Sequence, residues 1–322
     1  MGMPFVRVLL ACNLVLTISA CSDNAIAPFS QSASTNSVAA SSFARAAIPN
    51  PALLGINQST GALEAWRIAR SGGRPTVLDP GFGATDGLAM AADGNVVFVA
   101  RDVQNAVLEY NVATGEKKTL ADPYGAPVDI AVGVDESLYV ANFGMFKGIV
   151  VYPQGRNAPL KLPCNLIDAP DWVAVDNDGN VFVNGALGSN LRVVEIPRGG
   201  ACRDLHLRPE LGYDSGLAYD PKTGDLLVMD DPGVCAGPPG ARITVNPKPY
   251  TKENARSLSY GGSCMTGLRL NASSSLMFFS MPTLVGGIVV FQAGFPDGKI
   301  AGRVYSQGDT TAMTTIPNTL PN

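Results

Sequence analysis

Eight side chains with the chemistry of ligands fall at two recurring kinds of place in this 322-residue sequence. Asp86, Asp129, Asp171 and Ser215 stand at or beside the start of short apolar runs. Arg101, Asn142 and Asp230 stand just past the end of a second kind of run, and Asp231 follows directly. Carboxylates with one guanidinium and one carboxamide suit a cation, or the hydroxyls of a polar small ligand, a glycan or a protein, if the fold gathers them round a mouth. Asp86, Asp171 and Asp230 are the subset that could ligate a divalent cation such as calcium, which takes several oxygen ligands. The same residue types also cap strand ends and build turns. Their spacing alone leaves both uses open.

Other chemistries are excluded more sharply. One histidine, His206, cannot supply a zinc site that needs two imidazoles, and it alternates with Leu205 and Leu207 as a surface strand residue would. No Gly-x-Ser-x-Gly elbow occurs, and residues 294–299, GFPDGK, lack the spacing of a phosphate loop. Residues 176–180, DNDGN, share the composition of a calcium loop. Their glycine comes fourth instead of sixth, which makes them a turn. A net charge of −4 without a run of Lys or Arg argues against nucleic acid as a partner. No residue is assigned a catalytic role.

The elements that must position these residues are short strands. Apolar runs starting at Leu88, Ile130, Val173, Leu217 and Leu268 recur at intervals of roughly 40–50 residues. Each is followed by a second run (Phe98, Tyr139, Phe182, Leu227, Phe278), then a third and a fourth. Asp-Gly-Asn and Thr-Gly-Asp turns separate first from second runs. Four antiparallel strands per repeat form a β-propeller blade. Residues 52–57, 62–68 and 76–78 supply a sixth copy without a first strand, and residues 310–316 make a β-prone segment without a repeat of its own. The expectation is an all-β, six-bladed propeller over residues 51–322, with the first blade closed by strands from both termini. Trp66, Tyr110, Tyr152 and Phe291 should pack between blades, and a monomer is expected.

Residues 1–20 have a weakly basic start and an apolar run too short to span a bilayer. They end in Ile-Ser-Ala before Cys21, which resembles the lipobox of bacterial lipoproteins. That resemblance implies export to the cell envelope and a lipid anchor at Cys21, holding the chain to a membrane. With Ser22 next, it implies the outer membrane in a two-membrane host. Residues 21–50, rich in Ser, Ala and Asn, read as a tether with an end-to-end distance of about 30 Å. Four cysteines remain beyond Cys12 and Cys21, an even number in an exported chain. Of three connectivities, Cys164–Cys202 and Cys235–Cys264 are favoured because each joins neighbouring repeats.

The units LAMAADGNVVFVA, IAVGVDESLYVANFG and VAVDNDGNVFV resemble NHL-repeat propellers and the senescence-marker/gluconolactonase superfamily, from Ala52 to the C-terminus. The lactonases and esterases of that superfamily hold one divalent cation, usually calcium or zinc, over the central channel. Their ligands are a Glu near the start of the ring, an Asn of an Asn-Gly pair and an Asp of an Asp-Gly pair. Asp86-Gly87 matches the last, Ser215-Gly216 replaces the Asn-Gly pair, and Glu64 falls within a third strand. Two expectations follow. One is a tethered, non-catalytic binding module. The other is a divergent metal-dependent lactonase or esterase.

Overall fold

A computed structural model describes residues 48, 52–68, 74–83, 85, 87–207, 213–231, 242–260, 265–271, 273–282, 288–306 and 313–316. Within them the Val-, Ile- and aromatic-rich runs are strands, and the Gly, Asp and Asn clusters are the turns between. Blade one contains β1 (Ala52–Asn57), β2 (Ala62–Arg67) and β3 (Thr76–Asp79). Blade two contains β4 (Leu88–Met90), β5 (Val96–Arg101), β6 (Ala106–Asn111) and β7 (Lys117–Ala121). Blade three follows with β8 (Pro127–Val132), β9 (Leu138–Asn142), β10 (Gly148–Tyr152) and β11 (Leu160–Leu162). Blade four has β12 (Ala169–Val175), β13 (Val181–Leu187), β14 (Asn190–Ile196) and β15 (Arg203–Asp204). Blade five has β16 (Tyr213–Tyr219), β17 (Leu226–Asp231), β18 (Arg242–Asn246) and β19 (Arg256–Ser259). Blade six has β20 (Thr266–Leu270), β21 (Leu276–Pro282), β22 (Ile288–Gly294) and β23 (Ile300–Ser306).

The last strand, β24 (Met313–Ile316), returns to blade one and pairs antiparallel with β1, Leu53 opposite Thr315 and Leu54 opposite Thr314. Blade one therefore reads β24-β1-β2-β3, and all six sheets have four strands. The ring closes as the repeats imply. Of the expected closing segment, the described residues are Met313–Ile316, and 310–312 lie outside them.

Six apolar clusters occupy the six seams between blades, which is how flat sheets bury both faces. Leu54, Leu63, Leu88 and Val97 join blades one and two, while Val107, Ile130 and Val140 join two and three. Tyr139, Val173 and Val194 fill the next seam, then Phe182, Leu217 and Leu226, then Met229, Leu268 and Phe279. Leu53, Trp66, Phe278 and Met313 seal the closing seam of blades six and one. Trp66, Tyr110 and Tyr152 are buried as expected, and the two tyrosine hydroxyls donate to Leu78 O and Ala121 O. The side chain of Phe291 is outside the description.

Two local features shape the inner ring. In blades three to six the pairing of first and second strands slips by one residue near the inner strand's start, at Val128, Asp171, Ser215 and Gly267. Such bulges turn side chains away from the regular alternation. The inner strands also approach one another closely at this end. A Cβ on Gly87 would stand 2.5 Å from the Asp129 Cα, and one on Gly216 2.8 Å from the Leu268 Cβ.

A disulfide joins Cys164 to Cys202, with Cα atoms 5.5 Å apart. It ties the segment after β11 to the segment before β15, so it staples the outer edges of blades three and four. Cys21, Cys235 and Cys264 lie outside the described residues.

Candidate functional site

Inner strands begin, and second strands end, on the same face of the ring, because neighbouring strands are antiparallel. The seven sequence-predicted residues whose backbone is described belong to that face, and they meet different fates. Asp86 lies outside the described residues. For Ser215, Asp230 and Asp231 the description covers backbone only: Asp214 pairs with Asp230 and Tyr213 with Asp231 across the β16–β17 ladder. Asp171 sits at the bulge of β12, half-buried. Arg101 ends β5 half-buried beside Gly83, its Nε finding no hydrogen-bond partner among the described residues. Asn142 ends β9 fully buried, and neither its Oδ1 nor its Nδ2 has a partner among them.

Asp129 is the informative one. It is 0% exposed, and its Oδ1 accepts from Nη2 of Arg269 at 2.8 Å, a residue 140 positions away in blade six. Its Oδ2 accepts the backbone N–H of Val173 in blade four at 3.0 Å. The Arg269 Nε donates to Met313 O on the closing strand at 3.0 Å, and Nη1 donates to Leu268 O at 2.9 Å. Nη2 also reaches Leu88 O of blade two, at 3.5 Å. One guanidinium thus touches blades one, two, three and six at the centre of the ring. Burial pushes the Asp129 carboxyl pKa up, and the Arg269 charge and the Val173 N–H oppose that.

Below the ion pair the axial channel is a cavity of about 140 Å³, with walls drawn from all six inner strands, Thr314 standing for β24. The residue after the leading apolar one is Ala89, Ala131, Ala174 and Ala218 in four inner strands, and Arg269 in the fifth. Four methyl groups leave the space that one long cation fills. This column was visible in the sequence, in LAM, IAV, VAV, LAY and LRL, and it was the signal for Arg269.

Glu64 lies in β2, as the sequence indicates, buried at the closing seam on the same side of its strand as Trp66. Asn57 Nδ2 donates to its Oε1 at 3.3 Å, and its Oε2 has no partner among the described residues. Desolvation raises its pKa above the ordinary value, against the weaker pull of Asn57. The folded state then holds a proton that the unfolded chain releases, so ionisation of Glu64 costs stability as pH climbs through and above the ordinary carboxylate range. Glu64→Gln should raise the thermal midpoint by a few degrees at neutral pH and leave it unchanged near pH 4. Paired melting curves at the two pH values check this.

A divalent cation does not fit the residues described. No three His, Cys, Asp or Glu side chains among them converge. Asp129 is wholly buried and already paired with a guanidinium at hydrogen-bond distance. The DNDGN segment is a closed turn, Asp176 Oδ1 accepting the N–H groups of Asp178 and Asn180. His206 is exposed, its N–H donating to Asp204.

Fold and centre together define a closed six-bladed β-propeller with a buried ion pair beside its axial cavity. No family model and no curated protein matches the sequence. Solved structures do match it. A chain of a nidogen/laminin complex is 15% identical with a TM-score of 0.68, over 83% of this chain and 99% of that one. TolB from Acinetobacter baumannii is 11% identical with a TM-score of 0.64, over 82% and 66%. A gluconolactonase from Xanthomonas campestris is 14% identical with a TM-score of 0.52, over 71% and 82%. At such identities the likeness is one of fold.

Proposed function

We propose that this chain is a non-catalytic binding module, a propeller tethered in the bacterial envelope that engages a polar small ligand, a glycan or a protein through the face where its inner strands begin. The commitment of Asp129 to Arg269 carries this reading. It spends a buried carboxylate, and the one guanidinium that lines the channel, on holding the ring together, and it leaves recognition to the surrounding face. The similar chain found in a nidogen/laminin complex offers a precedent for partner binding by this fold. Titration of the purified protein against envelope glycans and proteins, with lactone turnover measured alongside, tests it. Turnover without binding would sink it.

Attachment through Cys21 belongs to the same proposal. Cys21→Ser should move the protein from the membrane to the soluble fraction, and an unchanged distribution on fractionation would remove the anchor.

The likeness to a gluconolactonase favours a second reading, a metal-dependent lactone or ester hydrolase using Asp86, Asp171 and Asp230. Metal analysis of the undialysed protein separates the two. Stoichiometric calcium, zinc or manganese supports the hydrolase.

A further inference from the structure

Three loops on the binding face are fastened into one knot. Residues 102–105 follow β5, residues 122–126 link blades two and three, and residues 143–147 follow β9. Asn105 accepts the Ala126 N–H through its side chain at 2.9 Å and the Asp122 N–H through its carbonyl at 3.0 Å. The Phe143 N–H donates to Ala126 O and the Phe146 N–H to Tyr124 O, at 2.9 and 3.1 Å. Gly144 lies so close to Gly125 that a Cβ there would stand 2.7 Å from its carbonyl carbon. The knot is held before any partner arrives.

Its outward surface is apolar and cationic. Val103 is 78% exposed, Met145 87% and Phe143 44%, three of the seven large apolar side chains found exposed among the described residues. Lys147 lies 5.5 Å from the Phe143 ring, and Lys161 4.7 and 4.5 Å from the rings of Tyr124 and Phe146. Neither lysine has a carboxylate partner among the described residues. The two acids on these loops are turned onto backbone, Asp102 accepting from Val103 N–H and Asp122 from Tyr124 N–H. In a chain of net charge −4 this places two lysine cations, aromatic rings and an exposed methionine on one outward surface.

We infer that this knot is a docking surface for a polypeptide segment that carries both acidic and bulky apolar side chains. The inference rests on the binding-module reading and names its partner class. Phe143 and Met145 supply the apolar anchors that dominate protein interfaces. Lys147 and Lys161, already paired with π faces, supply charge that acidic side chains complement and that steers their approach. An anionic bilayer is the poorer match, because polybasic membrane sites use clusters of about four to eight cations.

The test pans random dodecapeptides displayed on phage against the full-length protein. Enriched peptides should combine Asp or Glu with Leu, Phe or Trp. Phe143→Ser/Met145→Ser and Lys147→Glu/Lys161→Glu should each weaken them about tenfold or more with unchanged melting temperature. Peptides without acidic bias, binding indifferent to both variants, or no enrichment would overturn the surface. So would binding of phosphatidylglycerol vesicles, lost in Phe143→Ser/Met145→Ser, with no acidic peptide bound. A glycan or protein bound with equal affinity by both variants removes this surface and leaves the module standing. Lactone turnover with no binding of any kind removes the module itself.

Discussion

Arg269→Ala is expected to cost the propeller about 3–5 kcal/mol, read as a fall in the urea midpoint with the slope unchanged. The substitution removes one partner of a buried pair and leaves Asp129 fully enclosed with the Val173 N–H. It also strips Met313 O and Leu268 O of their donors. Without the Arg269 charge, burial acts on the carboxyl with less opposition and its pKa rises further. The folded variant then holds a proton that its unfolded chain releases, so the deficit should shrink as pH falls towards the carboxylate range. Replacing both partners with apolar residues, Arg269→Met with Asp129→Leu, should recover much of the loss, because such exchanges are often neutral or stabilising. A double variant as unstable as Arg269→Ala would show that the cost lies in packing and not in the orphaned charge.

Deleting the chain from Met313 onward should abolish cooperative unfolding. β24 is the inner strand of blade one, and its loss exposes the ladder edge of β1 along residues that are wholly buried. Met313 alone, closing the seam with Leu53, Trp66 and Phe278, should cost about 2–5 kcal/mol when replaced by alanine. With the backbone pairing and the Arg269 acceptor gone too, the loss becomes comparable to the whole stability of a domain, about 5–15 kcal/mol. An open edge also invites pairing between chains. Size-exclusion chromatography should show aggregate, and calorimetry no sharp transition. A monomer with a cooperative melt would mean that five blades and a part suffice.

The blades were legible in the sequence because what makes them is local. Val-Phe-Val-Ala, Leu-Tyr-Val-Ala and Val-Phe-Val-Asn each state a second strand, and glycines at positive φ in the Asp-Gly-Asn and Thr-Gly-Asp turns state where it starts. Blades three and six show the limit of that code. Their equivalent turns place Glu136 and Ser274 at φ of 56° and 49°, where a side chain is strained, and register is kept by the neighbouring strands. The closing partner of β1 could be named because one strand was missing and one segment was spare.

The centre was less legible. Asp129 was read as a residue of an open mouth, by analogy with Asp86 and Asp171 in neighbouring repeats. The close approach at Gly87 and the reach of Arg269 put it in the interior instead. A repeat alignment shows that the two residues are exceptions in the columns on either side of the leading apolar residue. It cannot show that they meet, since only ring closure brings positions 140 residues apart to one axis. Asn142 illustrates the same gap: its place at a strand end was right, and its complete burial was not foreseeable from spacing.

Six similar sheets carry little to distinguish one seam from another, and a chain of repeats can close in the wrong order or with a blade left out. The lone arginine among four channel alanines breaks that equivalence. Its donors are matched when the inner strands of blades one, two and three stand round it in their native places. Any other closure would strand a guanidinium in the channel and leave its counterion buried elsewhere, at a cost of several kcal/mol. The ion pair therefore works as a checksum on assembly, by which the finished ring verifies the order of its own parts.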